Sequence, residues 1–327
     1  MTFQEIFIKD EEFTAEVNEI ILPFLNERIK DGYFVNTDGM KLHYRQLINP
    51  EEKATIVISH GYCEFATKFT EVMYYFYKMG YSVFIMEHRG HGLSDREVDG
   101  FCKVYVRHFE DYVKDFNQFV EEIVIPESRT GHLYLFAHSM GGAIGAMYLE
   151  HYPDVFEKAI LTSPMIRLMT HNISGFVKRT VCLLSYLPFI SKRYLPNHHD
   201  YDHTFKYPHC SSMSKARYTF QYNERERELH YRTSGATFSW IREAVNVSKK
   251  ILKNAHLIKI PVILMQASKD TLVMSDAQDE FSRLAKNCEL ICFKGSKHEI
   301  FNASDEIIQD YYNKVFAFYG NQSYENL

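Results

Sequence analysis

Ser139 stands where a serine could act as a nucleophile. Leu133-Tyr134-Leu135-Phe136-Ala137-His138 is an apolar run that breaks at Ser139, and Met140-Gly141-Gly142-Ala143 then opens a helical pattern. A strand, a sharp turn and a helix in that order project the hydroxyl and turn the helix's first N–H groups toward an anion. Ala137 and Gly141 flank the bend, where larger side chains would collide as the chain doubles back. Ser139 is therefore expected in a strained backbone conformation of the kind found where chemistry is done.

A serine hydroxyl is a weak nucleophile at its free pKa and needs a histidine base held by a carboxylate. After a serine in this setting the acid comes first in the chain and the histidine second, each behind a late strand. Ile260-Pro261-Val262-Ile263-Leu264-Met265-Gln266-Ala267 reads as a buried strand, and Ser268-Lys269-Asp270 follows it. Glu289-Leu290-Ile291-Cys292-Phe293 reads as a shorter strand, and Gly295-Ser296-Lys297-His298 follows that. Asp270 and His298 are the expected acid and base. Asp276 competes for the acid's role, although it reads better as the start of a helix over 276–285.

Such a serine also needs two donors aimed at the oxyanion. One is expected to be the N–H of Met140, and Gly141 gives its turn room. The other is expected from the loop His60-Gly61-Tyr62-Cys63-Glu64 after the strand-like run Ala54–Ser59. Gly61 would let the Tyr62 N–H face the serine, while His60 and Glu64 brace the loop by hydrogen bonds. Cys63 should lie nearby without a catalytic role.

These motifs, with Glu87-His88-Arg89-Gly90-His91-Gly92-Leu93-Ser94-Asp95, Leu161-Thr162-Ser163-Pro164-Met165, Thr237–Ala244 and Lys297-His298-Glu299-Ile300, resemble the bacterial lysophospholipase and monoacylglycerol lipase group of α/β-hydrolases. The resemblance covers most of the chain and departs at Ala137, where the usual pentapeptide has glycine. It implies hydrolysis of a single-acyl lipid ester by Ser139, Asp270 and His298, without a cofactor. Three alternatives remain open. They are an acyltransferase on the same triad, a prolyl-aminopeptidase-like hydrolase using Glu224, Glu226 and Glu228 to grip an amine, and a non-catalytic ligand receptor.

The elements that must position these groups alternate between strand and helix. Strands are expected at Gly32–Val35, Lys41–Gln46, Ala54–Ser59, Ser82–Met86, Leu133–Phe136 and Lys158–Leu161, the first two as an edge hairpin. Helices are expected at Phe13–Phe24, Thr67–Met79, Tyr105–Ile123 and Ser304–Tyr319. The expected architecture is an α/β-hydrolase fold, a mostly parallel sheet covered by helices. Its core would take residues 1–165 and 250–327, and an inserted, mainly helical cap residues 166–249. Leu183, Leu184, Leu187, Phe189 and Ile190 in that cap could line an acyl channel or touch a membrane surface transiently.

The chain's 327 residues suit one large domain with an insertion, and 46% hydrophobic residues suffice for a substantial core. A net charge of -5 gives no basic excess for nucleic acid. No signal-peptide or transmembrane pattern is seen, so a cytoplasmic protein is expected. The six cysteines show no metal rhythm, and Cys288 and Cys292 read as core or near-core thiols. The run from Asn197 to His203 is rich in histidine and aspartate but lacks the spacing of a zinc helix, so it reads as a solvated loop. The aromatic content of 15% favours an apolar pocket with polar tips, and the oligomeric state is not set by sequence.

Overall fold

The strands at the middle of the chain are almost wholly apolar, which is what a sheet covered on both faces requires. A computed structural model describes residues 2–169 and 174–320, so parts of the expected core (1 and 321–327) and cap (170–173) lie outside the described residues. Its strands are β1 (Lys30–Val35), β2 (Lys41–Leu47), β3 (Thr55–Ser59), β4 (Ser82–Met86), β5 (Lys103–Val104), β6 (Leu133–His138), β7 (Lys158–Thr162), β8 (Gly235–Ala236), β9 (Val262–Ala267) and β10 (Cys288–Phe293). Eight of them form one sheet in the order β1-β2-β4-β3-β6-β7-β9-β10. β1 and β2 make the antiparallel edge hairpin, β2 runs antiparallel to β4, and the other neighbours are parallel.

Alternation along each strand divides the core between the two faces. Val57, Leu135, Leu161 and Leu264 point to one side, where the helices Glu110–Phe119, Met140–His151 and Phe238–Asn254 cover them. Ile56, Ile58, Phe136, Ile160 and Ile263 point to the other, under the helices Thr70–Lys78 and Asp305–Tyr319 and the N-terminal segment. The N-terminal helix expected over 13–24 runs from Phe13 to Asn26 with a π-helical middle, Val17–Ile21.

Three details differ from expectation for tertiary reasons. The helix expected to start at Tyr105 starts at Glu110, because Lys103–Val104 pairs with Gly235–Ala236 in a separate two-stranded sheet. The expected cap boundary at 249/250 falls inside the helix Phe238–Asn254. Trp240, Ala244, Val247 and Ile251 of that helix are buried in the core cluster with β3, β6 and β7, so its apolar face belongs to the core. Cys292 is exposed, not near the core, because β10 is an edge strand. No helix among the described residues is long and apolar enough to cross a membrane.

Candidate active site

β6 delivers Ser139 at its carboxyl end, and the chain turns there with φ 53° and ψ -117° before entering the helix Met140–His151. A positive φ at a serine is costly, so surrounding bonds must hold it. The Ser139 N–H donates to Thr162 O at 3.1 Å, and Ser139 O accepts from the N–H groups of Met165 (2.8 Å) and Ala143 (3.2 Å). Gly141 packs so closely under β3 that a Cβ would sit 2.1 Å from Ser59 O and 2.5 Å from His60 O.

The loop after β9 presents Asp270, and the loop after β10 presents His298. His298 Nδ1 lies 2.6 Å from Asp270 Oδ2 and its Nε2 lies 2.8 Å from Ser139 Oγ. A proton on Nδ1, donated to the carboxylate, leaves Nε2 free to accept the serine O–H. Asp270 Oδ1 accepts the N–H groups of Leu272 (2.8 Å) and Val273 (3.1 Å). Burial opposes its charge, but the His298 hydrogen bond and these N–H donors outweigh burial and hold its pKa below the ordinary value. Asp276, the competing acid, is exposed and lies 3.7 Å from Arg167.

The oxyanion candidates sit on either side of the serine. Neither the Tyr62 nor the Met140 N–H has an acceptor among the described residues. Gly61 is required by close approach, since a Cβ would lie 2.8 Å from Glu64 Oε2 and 3.0 Å from Ser139 Cβ. Glu64 Oε2 accepts the Gly61 N–H at 2.5 Å. His60 Nε2 accepts the His88 N–H at 3.0 Å, so His60 carries its proton on Nδ1 and donates it to Gly61 O at 2.8 Å. Burial lowers the pKa values of His60, His88 and His91, which keeps this cluster neutral. Cys63 is buried beside the loop, and burial pushes its thiol up to about 12, leaving it protonated and unreactive.

Sequence reasoning missed the ion cluster that joins these loops. Lys68 Nζ lies 2.6 Å from Glu64 Oε1 and 2.8 Å from Glu299 Oε1, with all three side chains buried. Burial works against both carboxylates, yet Lys68 holds them ionised below their ordinary values. One cation thus ties the loop bearing Tyr62 to the loop bearing His298. The signal was the four-residue spacing of Glu64 and Lys68, with Glu299 directly after His298. His138, next to Ser139, is pushed down to about 4 by burial and is neutral.

A cavity of about 430 Å³ opens above Ser139 and His298. Its wall is mixed, with Tyr62, Tyr201, Tyr218, Tyr222, His198 and Arg225 on it, and so is less apolar than the apolar pocket with polar tips expected. Leu183, Leu184, Leu187, Phe189 and Ile190 do not line it, and Leu183, Leu187 and Phe189 are exposed. Glu224, Glu226 and Glu228 do not line it either. They pair with Arg227, His203 and His230 respectively. Among the described residues, no group of three or more His, Cys, Asp or Glu side chains is arranged to hold a metal. Asp202 and His203 of the loop run are engaged by Lys206 and Glu226.

A family profile described as "Serine aminopeptidase, S33" matches residues 50–305. The chain is 28% identical to a "Probable lysophospholipase L2" of Haemophilus influenzae over 93% of this chain and 96% of that one. It is 25% identical to the "Lysophospholipase L2" of Escherichia coli over 90% and 91% of the two chains. Its fold matches a soluble variant of monoglyceride lipase from Saccharomyces cerevisiae with a TM-score of 0.69, at 20% identity over 90% of this chain and 97% of that one.

Proposed function

The chain belongs to the serine aminopeptidase S33 family of α/β-hydrolases, and on that premise we propose that it cleaves single-acyl lipid esters through Ser139. It is a hydrolase of the lysophospholipase and monoacylglycerol lipase group, which makes esterase or lipase chemistry the general activity. The observation that carries the finer reading is His298 spanning Asp270 and Ser139 at 2.6 and 2.8 Å.

In this mechanism Ser139 Oγ attacks the acyl carbonyl while His298 Nε2 takes its proton. Asp270 holds the imidazole in the required tautomer and stabilises the imidazolium. The N–H groups of Tyr62 and Met140 receive the charge on the carbonyl oxygen, helped by the N-terminal dipole of the helix Met140–His151. His298 returns the proton to the leaving glycerol oxygen. Water then hydrolyses the acyl-enzyme with the same base. Lys68 acts as a positioning residue, because it fixes the two loops whose separation sets the reaction geometry.

The ester reading is favoured over an aminopeptidase because Glu224, Glu226 and Glu228 are engaged away from the cavity. The exposed Phe176, Leu183, Leu187 and Phe189, flanked by exposed Arg179 and Arg193, fit the surface of an anionic lipid bilayer from which such substrates come. The direct test is Ser139→Ala on a monoacyl ester. Turnover should fall by about 10³-fold or more with the melting temperature preserved. A folded variant that hydrolyses as fast as the parent overturns the proposal.

A further inference from the structure

The charges on the cavity wall are unequally matched. Lys68 is held between Glu64 and Glu299, and Lys206 pairs with Asp202 at 3.1 Å. Two opposite charges on the wall have no ionic partner among the described residues, Arg225 and Asp200. We propose that these two read the headgroup of a zwitterionic lysophospholipid, Arg225 taking the phosphate and Asp200 the ammonium. The proposal rests on the ester-hydrolase reading of Ser139 and adds to it which single-acyl lipid is preferred.

Arg225 is built to present a charge. It lies on the helix Lys215–Arg227 and is only partly buried. Among the described residues it spends a single N–H on the protein, donating from Nη2 to Cys63 O at 2.5 Å. Its guanidinium lies 5.7 Å from the Phe65 ring and 6.0 Å from the Tyr201 ring, which restricts where the fork can point. The remaining donors suit a phosphate, which takes two of them side by side.

Asp200 accepts the Tyr194 hydroxyl through Oδ1 and is otherwise exposed to the cavity mouth. Tyr222 stands on the same wall, and an aromatic ring favours an ammonium group close to it. His198 adds a neutral donor. Its Nδ1 accepts the Ala236 N–H at 3.1 Å, so its proton is on Nε2.

Next to the serine the balance is reversed. Lys68 serves two carboxylates, so the floor carries excess negative charge and repels a phosphate from the reacting end. The phosphate is thereby directed to Arg225, while the uncharged ester enters beside Ser139. A monoglyceride leaves Arg225 and Asp200 without partners, which costs binding relative to the zwitterion.

The test compares kcat/KM for three substrates with one short acyl chain, below their critical micelle concentrations. They are lysophosphatidylcholine, 1-acylglycerol 3-phosphate and monoacylglycerol. The parent should prefer lysophosphatidylcholine. Arg225→Gln should lose about 10- to 100-fold more on both phosphate-bearing substrates than on monoacylglycerol, so that the ratio of kcat/KM values reads the phosphate contact apart from any shared loss through the Cys63 carbonyl. Asp200→Asn, which does not touch the oxyanion loop, should lose about tenfold on lysophosphatidylcholine alone. Equal loss on all three in Arg225→Gln would make Arg225 a brace for the Cys63 carbonyl and overturn the proposal. A parent that prefers monoacylglycerol also overturns it. Fluorophosphonate labelling separates the two levels. Label on Ser139 with no headgroup preference overturns this proposal alone, whereas no label and no ester hydrolysis overturns the reading beneath it.

Discussion

The floor and the roof of the cavity over Ser139 are held together in different ways. The floor is made of loops at the carboxyl ends of β3, β6, β9 and β10, pinned by backbone bonds and the buried Lys68 cluster. The roof depends on one helix, Lys215–Arg227, tied down by a few side chains: Gln221 to Glu299 at 3.4 Å, Arg225 to Cys63 O at 2.5 Å and, most buried of them, Arg217. Arg217 donates to both oxygens of Glu71 at 2.7 Å and to Ile8 O at 2.8 Å, joining the roof to a core helix and to the N-terminal segment. Further out, the helices Gly175–Leu184 and Pro188–Ser191 leave Phe176 80% and Phe189 86% exposed. The geometry around Ser139 is over-determined, whereas the roof helix is held by a few side chains and the helices beyond it are left open.

The largest expected difference between the two concerns chemistry. Asp270→Asn, which allows the wrong His298 tautomer, should lower kcat by about 10⁴-fold with little change in stability. No substitution confined to the roof should approach that on a neutral soluble ester, and one that did would blur the division.

The next largest effect belongs to the tether. Arg217→Met strands the Glu71 carboxylate in a buried site and should cost about 3–5 kcal/mol in chemical denaturation. Adding Glu71→Gln removes the stranded charge and should restore part of the loss. Full stability in Arg217→Met would show that Gln221, Arg225 and the packing around them hold the roof without Arg217.

These two regions also differ in how far they could be read from the residues. The floor was legible because its logic is local. An apolar run, a serine between small residues and a helix fall within eleven positions, and the loops holding Asp270 and His298 each follow their own strand. The edge hairpin and the parallel centre were legible for the same reason. The roof was not, because its determinants are tertiary. Arg217 reads as one more charge on a polar helix until Glu71 is brought to it. Lys103–Val104 has too few residues to signal a strand without Gly235–Ala236 beside it. The mixed character of the cavity wall was hidden too, because Leu183, Leu187 and Phe189 of the insertion are exposed instead of lining it.

A pH-dependent effect comes from the helix that carries the floor's serine turn. Glu150, near the end of the helix that starts beside Ser139, is buried, and its polar neighbour Asn254 offsets only part of the cost of burying its charge. Burial pushes its pKa up to about 9. The folded state then holds a proton that the unfolded chain has lost, so stability should fall as pH rises from about 4.5 to about 9. The slope from this group should be about 1 kcal/mol per pH unit, and Glu150→Gln should flatten it. An unchanged slope would show that Glu150 is solvated.

The smallest effect on stability is expected at the outer roof. Replacing Phe176 and Phe189 with serine together should change stability by no more than about 0.5 kcal/mol. Hydrolysis of substrate carried in anionic vesicles should fall several-fold, while hydrolysis below the micellar concentration is unchanged. Equal loss in both settings would mean that these rings act on the cavity and not at a lipid surface.

The central claim is that Ser139 is the activated nucleophile of this floor. It is tested most directly by treating the protein with an active-site fluorophosphonate and mapping the adduct by peptide mass spectrometry. The account predicts one stoichiometric adduct on Ser139, lost in Ser139→Ala and strongly slowed in His298→Ala. An adduct on another residue, or labelling of Ser139→Ala at the parent's rate, would contradict it.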